Sequence, residues 1–381
     1  MTLSVELLAQ RVRESITAAN LTQQDLAEVV GISPSALSRA LAGKRNFKSL
    51  EIALISDHLG IPVEDLLESE AAGGSETKIA ARAQEGASPV IREAVYRADL
   101  LMKQDRLLSD IGVPSQDSLM DVALPEGAPY EQGEGLARAL RDRMGLGVDD
   151  LPTELNELAA FVERKLGVDV AFESFPEGLD GLCVSRDPFR LILISSRVAA
   201  TRQRYTLAHE LGHLVAGDSQ DIKVDENVWA VKSPTETRAN AFAAAFLMPA
   251  EPLKQVISEE GVSDASIAKL LGRLRVSLDA LAFRLHNIGA VNSEGRDRIR
   301  AMSSTAIYLR AGRASDLQAR NERRVPMPLL RRSVKAYVNG KIGVRPLADL
   351  LGVDPKELLE ELSPPSKVTP SVASEEMVPV L

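Results

Sequence analysis

Apolar positions keep helical period through most of the chain. Leu7, Leu8, Val12 and Ile16 form one stripe, and Leu26, Val29 and Val30 form another behind Thr22, a good N-cap. That second helix stops at Gly31. Ser33 caps the next, with Pro34 at its first position, and Gly43 ends it. A fourth helix covers roughly residues 49–59. Residues 69–90 are small, polar and rich in Gly, Ser and Ala, the pattern of a linker. A helix follows over 90–108. Residues 112–135 hold three prolines and four glycines and read as a second loose connection.

From residue 136 the period becomes mixed. Residues 136–144 and 153–166 read as helices, and 168–173, 181–184 and 190–195 as short strands between turn residues. Helices return over 201–215 and 234–247. After 262 they dominate, with Ser263 and Ser277 as N-caps. Residues 363–381 carry four prolines and no helical period, which predicts a disordered tail. The phrase Leu59-Gly60-Ile61-Pro62-Val63-Glu64-Asp65-Leu66-Leu67 returns weakly as Leu351-Gly352-Val353-Asp354-Pro355-Lys356-Glu357-Leu358-Leu359. No fixed period runs through the chain, so it reads as a shared idiom: one helix ends at Gly and another starts behind a cap.

Length and composition narrow the picture. The 381 residues suffice for two or three domains, and 45% hydrophobic with 26% charged is an ordinary globular balance. A single Cys rules out a disulfide framework or a multi-cysteine zinc finger. Cys183 itself reads as a small buried hydrophobe in a strand. The start of the chain lacks a basic segment followed by an apolar core, and the most apolar stretch, 239–250, is too short to span a bilayer. The expectation is a cytoplasmic protein with no membrane partner. A net charge of −9 argues against coating nucleic acid with the whole surface. One local basic face remains compatible with it.

Such a face lies near the N-terminus. Residues 1–70 carry six basic and ten acidic groups, yet 31–50 carry Arg39, Lys44, Arg45 and Lys48 and no acid. Small Ala27 sits where two helices would cross, Gly31 suits a tight turn, and Ile32 and Leu37 fill the space between them. Ser33, Ser35, Ser38 and Arg39 would then face the major groove, with Gln23 placed to reach a phosphate or brace the reader helix. This segment resembles the Cro/C1-type (XRE) helix-turn-helix family over about residues 5–68. The resemblance implies binding to a short double-stranded operator, usually as a homodimer, through Gln23, Ser33, Ser35, Ser38, Arg39, Lys44 and Arg45.

The middle of the chain holds the other chemistry. Only four histidines occur, and His209 and His213 sit four apart in H-E-x-x-H. On a helix this spacing puts both imidazoles on one face, able to share one Zn²⁺, with Glu210 beside them as base for the attacking water. A third ligand must come from elsewhere. Ala216 and Ser219 stand where a metzincin needs Gly and His. Glu236, opening the helix over 236–249, is the choice; Asp218, Asp221, Asp225 and Glu226 are its rivals. Asn240, one turn on, is placed to hydrogen-bond a ligating histidine. Ala239, Ala243 and Ala244 would let the two helices pack closely. Tyr205 and Arg204 are candidates to assist the oxyanion.

His209–His213 followed by E-x-x-A-N-x-F-A-x-x-x-L-M-P at Glu236–Pro249 resembles the ImmA/IrrE family of metallo-endopeptidases over about residues 136–290. The resemblance implies a zincin-like fold with a small sheet, His, His and Glu as ligands, and cleavage of a cognate repressor. Some members act in toxin–antitoxin pairs. Arg238, Ala245 and Phe246 depart from the family pattern without touching the ligands. An extended substrate is expected to add to an edge strand near 181–184.

Residues 296–345 carry thirteen Arg and Lys and three acids. The segment could meet DNA phosphates or the acidic remainder of a chain, or be a solvated, ion-paired face. Arg323, Arg324, Arg331 and Arg332 mark it as a second basic patch.

The expected architecture is multidomain and mainly α with an α+β core. A five-helix-type helix-turn-helix domain occupies 1–68, and a linker and connecting helix 69–135. A zincin-like peptidase domain occupies 136–260, a helical C-terminal region 261–362, and the tail 363–381. The expected function is transcriptional regulation coupled to a zinc endopeptidase acting on a repressor-like protein. The alternative is an antitoxin or repressor, of a toxin–antitoxin or mobile-element operon, whose peptidase-like domain contacts a partner such as a toxin.

Overall fold

A computed structural model describes residues 5–18, 21–59, 66, 89–115, 121–175, 178–218, 222–225, 233–318 and 322–362. The predicted linker and tail, the phrase over 60–65, and rival ligands Asp221 and Glu226 lie outside the described residues. The chain forms two compact units, residues 1–85 and 86–381.

In the first unit α1 (Val5–Ala18), α2 (Gln23–Val30), α3 (Pro34–Leu41) and α4 (Ser49–Leu59) close around one core. Leu26, Ala27, Leu37 and Ile55 are its fully buried centre. Thr22 and Asp25 cap α2 reciprocally. Gly31 takes φ 69° at its end, a conformation glycine adopts without Cβ strain, and the Ile32 N–H closes onto the Ala27 carbonyl at 3.0 Å.

The second unit is helix-rich around one small sheet. It runs α5 (Pro89–Asp110), α6 (Pro129–Arg143), α7 (Leu155–Leu166), β1 (Asp169–Glu173), β2 (Gly181–Arg186), β3 (Phe189–Ser195), α8 (Ala200–Ala216), β4 (Ile222–Asp225) and α9 (Pro234–Leu247). Then come α10 (Ala250–Glu260), α11 (Asp264–Leu274), α12 (Leu278–Asn287), α13 (Ser293–Arg300), α14 (Ser304–Arg310), α15 (Met327–Val338), α16 (Val344–Leu351) and α17 (Pro355–Leu362). The sheet order is β1-β3-β2-β4, with β1 parallel to β3 and β2 antiparallel to both neighbours.

Helices cover both faces of the sheet, which explains strands that read as nearly continuous apolar runs. Val170, Phe172, Cys183, Ile192 and Ile194 face the core containing α7, α8 and α9. Their alternates Ala171, Leu182, Val184, Leu191 and Leu193 face the core built with α5 and α15. Helices α11, α12 and α14 join the first of these cores, so residues 262–290 pack there through Leu270, Leu271, Leu281 and Leu285. Ser263 and Ser277 cap α11 and α12 as expected.

Two expectations change here. Strand β2 is interior, since β4 pairs along Gly181–Val184, so an extended peptide has no free edge at that strand. The fourth strand escaped the sequence reading because it is only four residues long. The loose connection expected over 112–135 also ends earlier, since α6 begins at Pro129, with the carboxylate of Glu131 in its first turn accepting the Ala128 N–H.

The basic segment is largely tied inward. Arg324 pairs with Glu163 on two oxygens, at 2.7 and 2.8 Å, and its backbone bridges Phe172 on the outer edge of β1. Arg323 reaches Glu173 and the carbonyls of Leu350 and Leu351. Arg332 binds Asp105 and the Val113 carbonyl. Of the four arginines expected to form a second patch, Arg323 and Arg331 are exposed, but the charge of Arg323, like those of Arg324 and Arg332, is met by an acid of this chain.

Candidate metal centre and candidate DNA interface

Helix α8 carries His209 and His213 on one buried face, with Glu210 between them; all three are fully buried. Helix α9 brings Glu236 from its first turn, where Ser233 accepts the Glu236 N–H at 3.1 Å. The helices meet closely because position 212 is glycine. A Cβ there would stand 2.9 Å from Cδ1 and 3.2 Å from Cβ of Phe242. The side chain it makes room for is Phe242.

The three candidate ligands converge. His209 Nε2 lies 3.1 Å from His213 Nε2 and 3.2 Å from Glu236 Oε2, and His213 Nε2 lies 3.4 Å from Glu236 Oε1. A tetrahedral ion with bonds of about 2.0–2.1 Å holds its ligand atoms roughly 3.3 Å apart. The backs of both rings are fixed. His213 Nδ1 donates to Asp218 Oδ2 at 3.1 Å, and His209 Nδ1 to Asn240 Oδ1 at 3.2 Å. With each ring proton on Nδ1, both Nε2 lone pairs point at the Glu236 carboxylate. Three acceptors so disposed repel unless a cation lies among them, so the donor set fits a metal.

Asp218, a rival ligand in the sequence reading, therefore sits behind His213. Burial would raise its pKa, but hydrogen bonds from His213 and Arg238 and the charge of Arg238 prevail and hold it below the usual carboxylate range. Arg238 also donates to Gln132 Oε1 at 2.9 Å. The local signal was available: Gly217 ends α8 at φ 69°, folding the Asp218 N–H onto the His213 carbonyl at 3.0 Å. Gln132 carried no such signal. Tyr205 and Arg204 are turned to structural work. Tyr205 donates to the Asn240 carbonyl, and buried Arg204 to those of Pro152 and Thr153.

In the first unit Gln23 opens α2 exposed, and Ser35, Ser38 and Arg39 are exposed on α3. Ser33 caps α3 with its hydroxyl, 3.2 Å from the Ala36 N–H. Lys44 is exposed, whereas Arg45 is half-buried against Glu51 through two nitrogens. Burial pushes the Glu51 pKa up, but Arg45 and the Lys48 N–H outweigh it and hold it low.

Residues 163–286 match the IrrE N-terminal-like domain of the Peptidase_M78 family. The IrrE-like segment thus contains α8, α9 and the whole candidate metal centre. Residues 10–66 match a helix-turn-helix family, which takes in α2 and α3. The chain is 33% identical over 127 residues to the radiation response metalloprotease IrrE of Deinococcus deserti, covering 29% of this chain and 45% of that protein. It is 35% identical over 125 residues to its Deinococcus radiodurans counterpart, covering 31% of this chain and 37% of that one. The chain thus spans less than half the length of these curated relatives. No helix among the described residues is long and apolar enough to cross a membrane.

Proposed function

We propose that the chain is a DNA-binding regulator coupled to a zinc-dependent endopeptidase that cleaves a repressor-like protein. The convergence of His209, His213 and Glu236 carries this reading. Two imidazoles and one carboxylate leave a fourth tetrahedral position open, the donor count of catalytic zinc sites. Zinc bound there would supply Lewis acidity toward the scissile carbonyl and lower the pKa of the attacking water. Glu210 would take the proton from that water on its carboxylate and return it to the leaving amine. Asn240 and Asp218 hold the two imidazoles, and Arg238 holds Asp218. Gln23, Ser35, Ser38, Arg39 and Lys44 would meet an operator in the compartment that holds the DNA. The resemblance to a curated metalloprotease supports the class of activity and leaves the substrate a proposal of this reading.

Metal analysis by native mass spectrometry on the wild type and Glu236→Ala tests it. The expected result is one zinc per chain, lost or weakened in the variant, with peptidase activity on co-encoded DNA-binding proteins abolished by Glu210→Gln. No metal uptake when zinc is supplied would sink the peptidase. The chain would then be a repressor or antitoxin whose peptidase-like domain serves protein contact.

A further inference from the structure

The end of the second unit repeats the helix-turn-helix of the first. Shifting the sequence by 321 positions lays Leu347-Ala348-Asp349-Leu350-Leu351-Gly352-Val353-Asp354-Pro355 on Leu26-Ala27-Glu28-Val29-Val30-Gly31-Ile32-Ser33-Pro34. Leu358 and Leu362 fall on Leu37 and Leu41. The same shift carries α2 onto α16 and α3 onto α17, end for end. Gly352 has φ 71° where Gly31 has 69°. The Asp354 carboxylate accepts the Lys356 and Glu357 N–H groups at the start of α17, where Ser33 caps α3. Ala348 and Leu358 are buried like Ala27 and Leu37. The phrase at 351–359 thus belongs with 30–38, a register the sequence reading missed.

The scaffold is kept and its outer face is remade. Where α3 presents Ser35, Ser38 and Arg39, α17 presents Lys356, Leu359 and Glu360, followed by Glu361. Glu360 stands where Arg39 does and repels phosphate, and apolar Leu359 replaces Ser38, so this copy lacks the reader's face. One inner position has also opened. Leu41 is 3% exposed, in a domain where α1 packs over α3, whereas Leu362 is 46% exposed. Helix α15, which stands before α16 as α1 stands before α2, packs on the α16–α17 cluster through Leu330 and Tyr337 and on the sheet core through Leu329 and Ala336, which leaves its remaining face outward. Its outer stripe consists of Arg331, Val334, Lys335 and Val338, at positions i, i+3, i+4 and i+7, all exposed. Arg331, Lys335, Glu360 and Glu361 form no ion pair among the described residues.

We infer that this C-terminal helix-turn-helix is a homodimerisation element. Helix α17 of each copy docks its Leu362 and its Glu360 and Glu361 on the Arg331–Val338 stripe of α15 in the other. The surface is self-complementary: one helix offers apolar and acidic groups, the other apolar and basic ones, as a two-fold contact requires. It depends on neither the metal nor the DNA reading.

The test is the oligomeric state of the full-length chain by native mass spectrometry and sedimentation equilibrium. The wild type is expected to be a dimer. Glu360→Lys with Glu361→Lys, and separately Arg331→Glu with Lys335→Glu, are each expected to raise the dimer dissociation constant about tenfold or more. Mixing the two variants should restore dimers containing one of each. Leu362→Ser should weaken the dimer without any charge change, with circular dichroism confirming that each variant folds. A monomeric wild type overturns the proposal, as do variants that dimerise like it. If a chain ending at Leu362 dimerises where the full chain does not, the open face belongs to the chain's own last 19 residues, and the proposal fails.

Discussion

Asp218 accepts the Nδ1 proton of His213 at 3.1 Å while Arg238, from the helix that supplies Glu236, holds the other oxygen of the same carboxylate. One residue thereby ties the end of the histidine helix to the start of the glutamate helix. Its removal should loosen the ligand set without deleting a ligand. Asp218→Ala is expected to weaken metal binding by about 10–100-fold, and Asp218→Asn, which keeps an acceptor for the ring, by less. Competition against a chelator measures both. Unchanged affinity in the alanine variant would remove Asp218 from the centre.

Gly212 sets the approach of the same two helices. Gly212→Ala drives a methyl against Phe242, and overpacking of this kind costs about 1–3 kcal/mol. The urea midpoint should fall, and the double variant Gly212→Ala with Phe242→Leu should recover part of the loss. An unchanged midpoint for the single variant would mean that α9 can retreat freely.

The legible parts of the chain were those where one short segment carries the whole constraint. The spacing of His209 and His213 puts them on one helix face whatever surrounds them. The observed α9 covers the expected 234–247. The three longer strands were readable as apolar runs because the sheet is buried on both faces. What stayed hidden depends on pairing across distance. Nothing local in Arg324 shows that Glu163, 161 positions earlier, will meet its charge. A count of basic residues therefore suggested a surface patch where the fold has an internal ionic seam. Arg45 is met from nearer by, by Glu51 at the start of α4.

This difference separates two kinds of cation in the first unit. Arg39→Ala and Lys44→Ala should weaken binding to a DNA duplex and lower the salt slope by about one each, with the melting temperature unchanged. Arg45→Ala leaves the buried Glu51 carboxylate without its guanidinium and should cost about 1–3 kcal/mol of stability. Fluorescence anisotropy across a salt series, beside thermal melts, distinguishes them. A loss of slope with Arg45→Ala at unchanged stability would return that residue to the DNA face.

The seam that docks α15 also predicts a pH dependence. Asp169 is buried, and its carboxylate accepts the Leu329 N–H at 3.2 Å near the start of α15. Burial, joined by the charge of Glu163, pushes its pKa from 3.8 up to about 8; the Leu329 N–H and Arg332 oppose the shift without cancelling it. Between those two values the folded chain keeps a proton that the unfolded chain has released. The contribution of this group is therefore fully present below 3.8 and is lost as pH rises through about 8. Asp169→Asn keeps an acceptor for Leu329 and cannot ionise. Wild type should lose stability between pH 6 and pH 9 by about 1 kcal/mol or more beyond the loss in the variant. Urea unfolding of both proteins at the two pH values measures the difference, which cancels every other titrating group they share. Equal losses would mean that Asp169 is already ionised in the folded chain, paired through water or through a shift of Arg332.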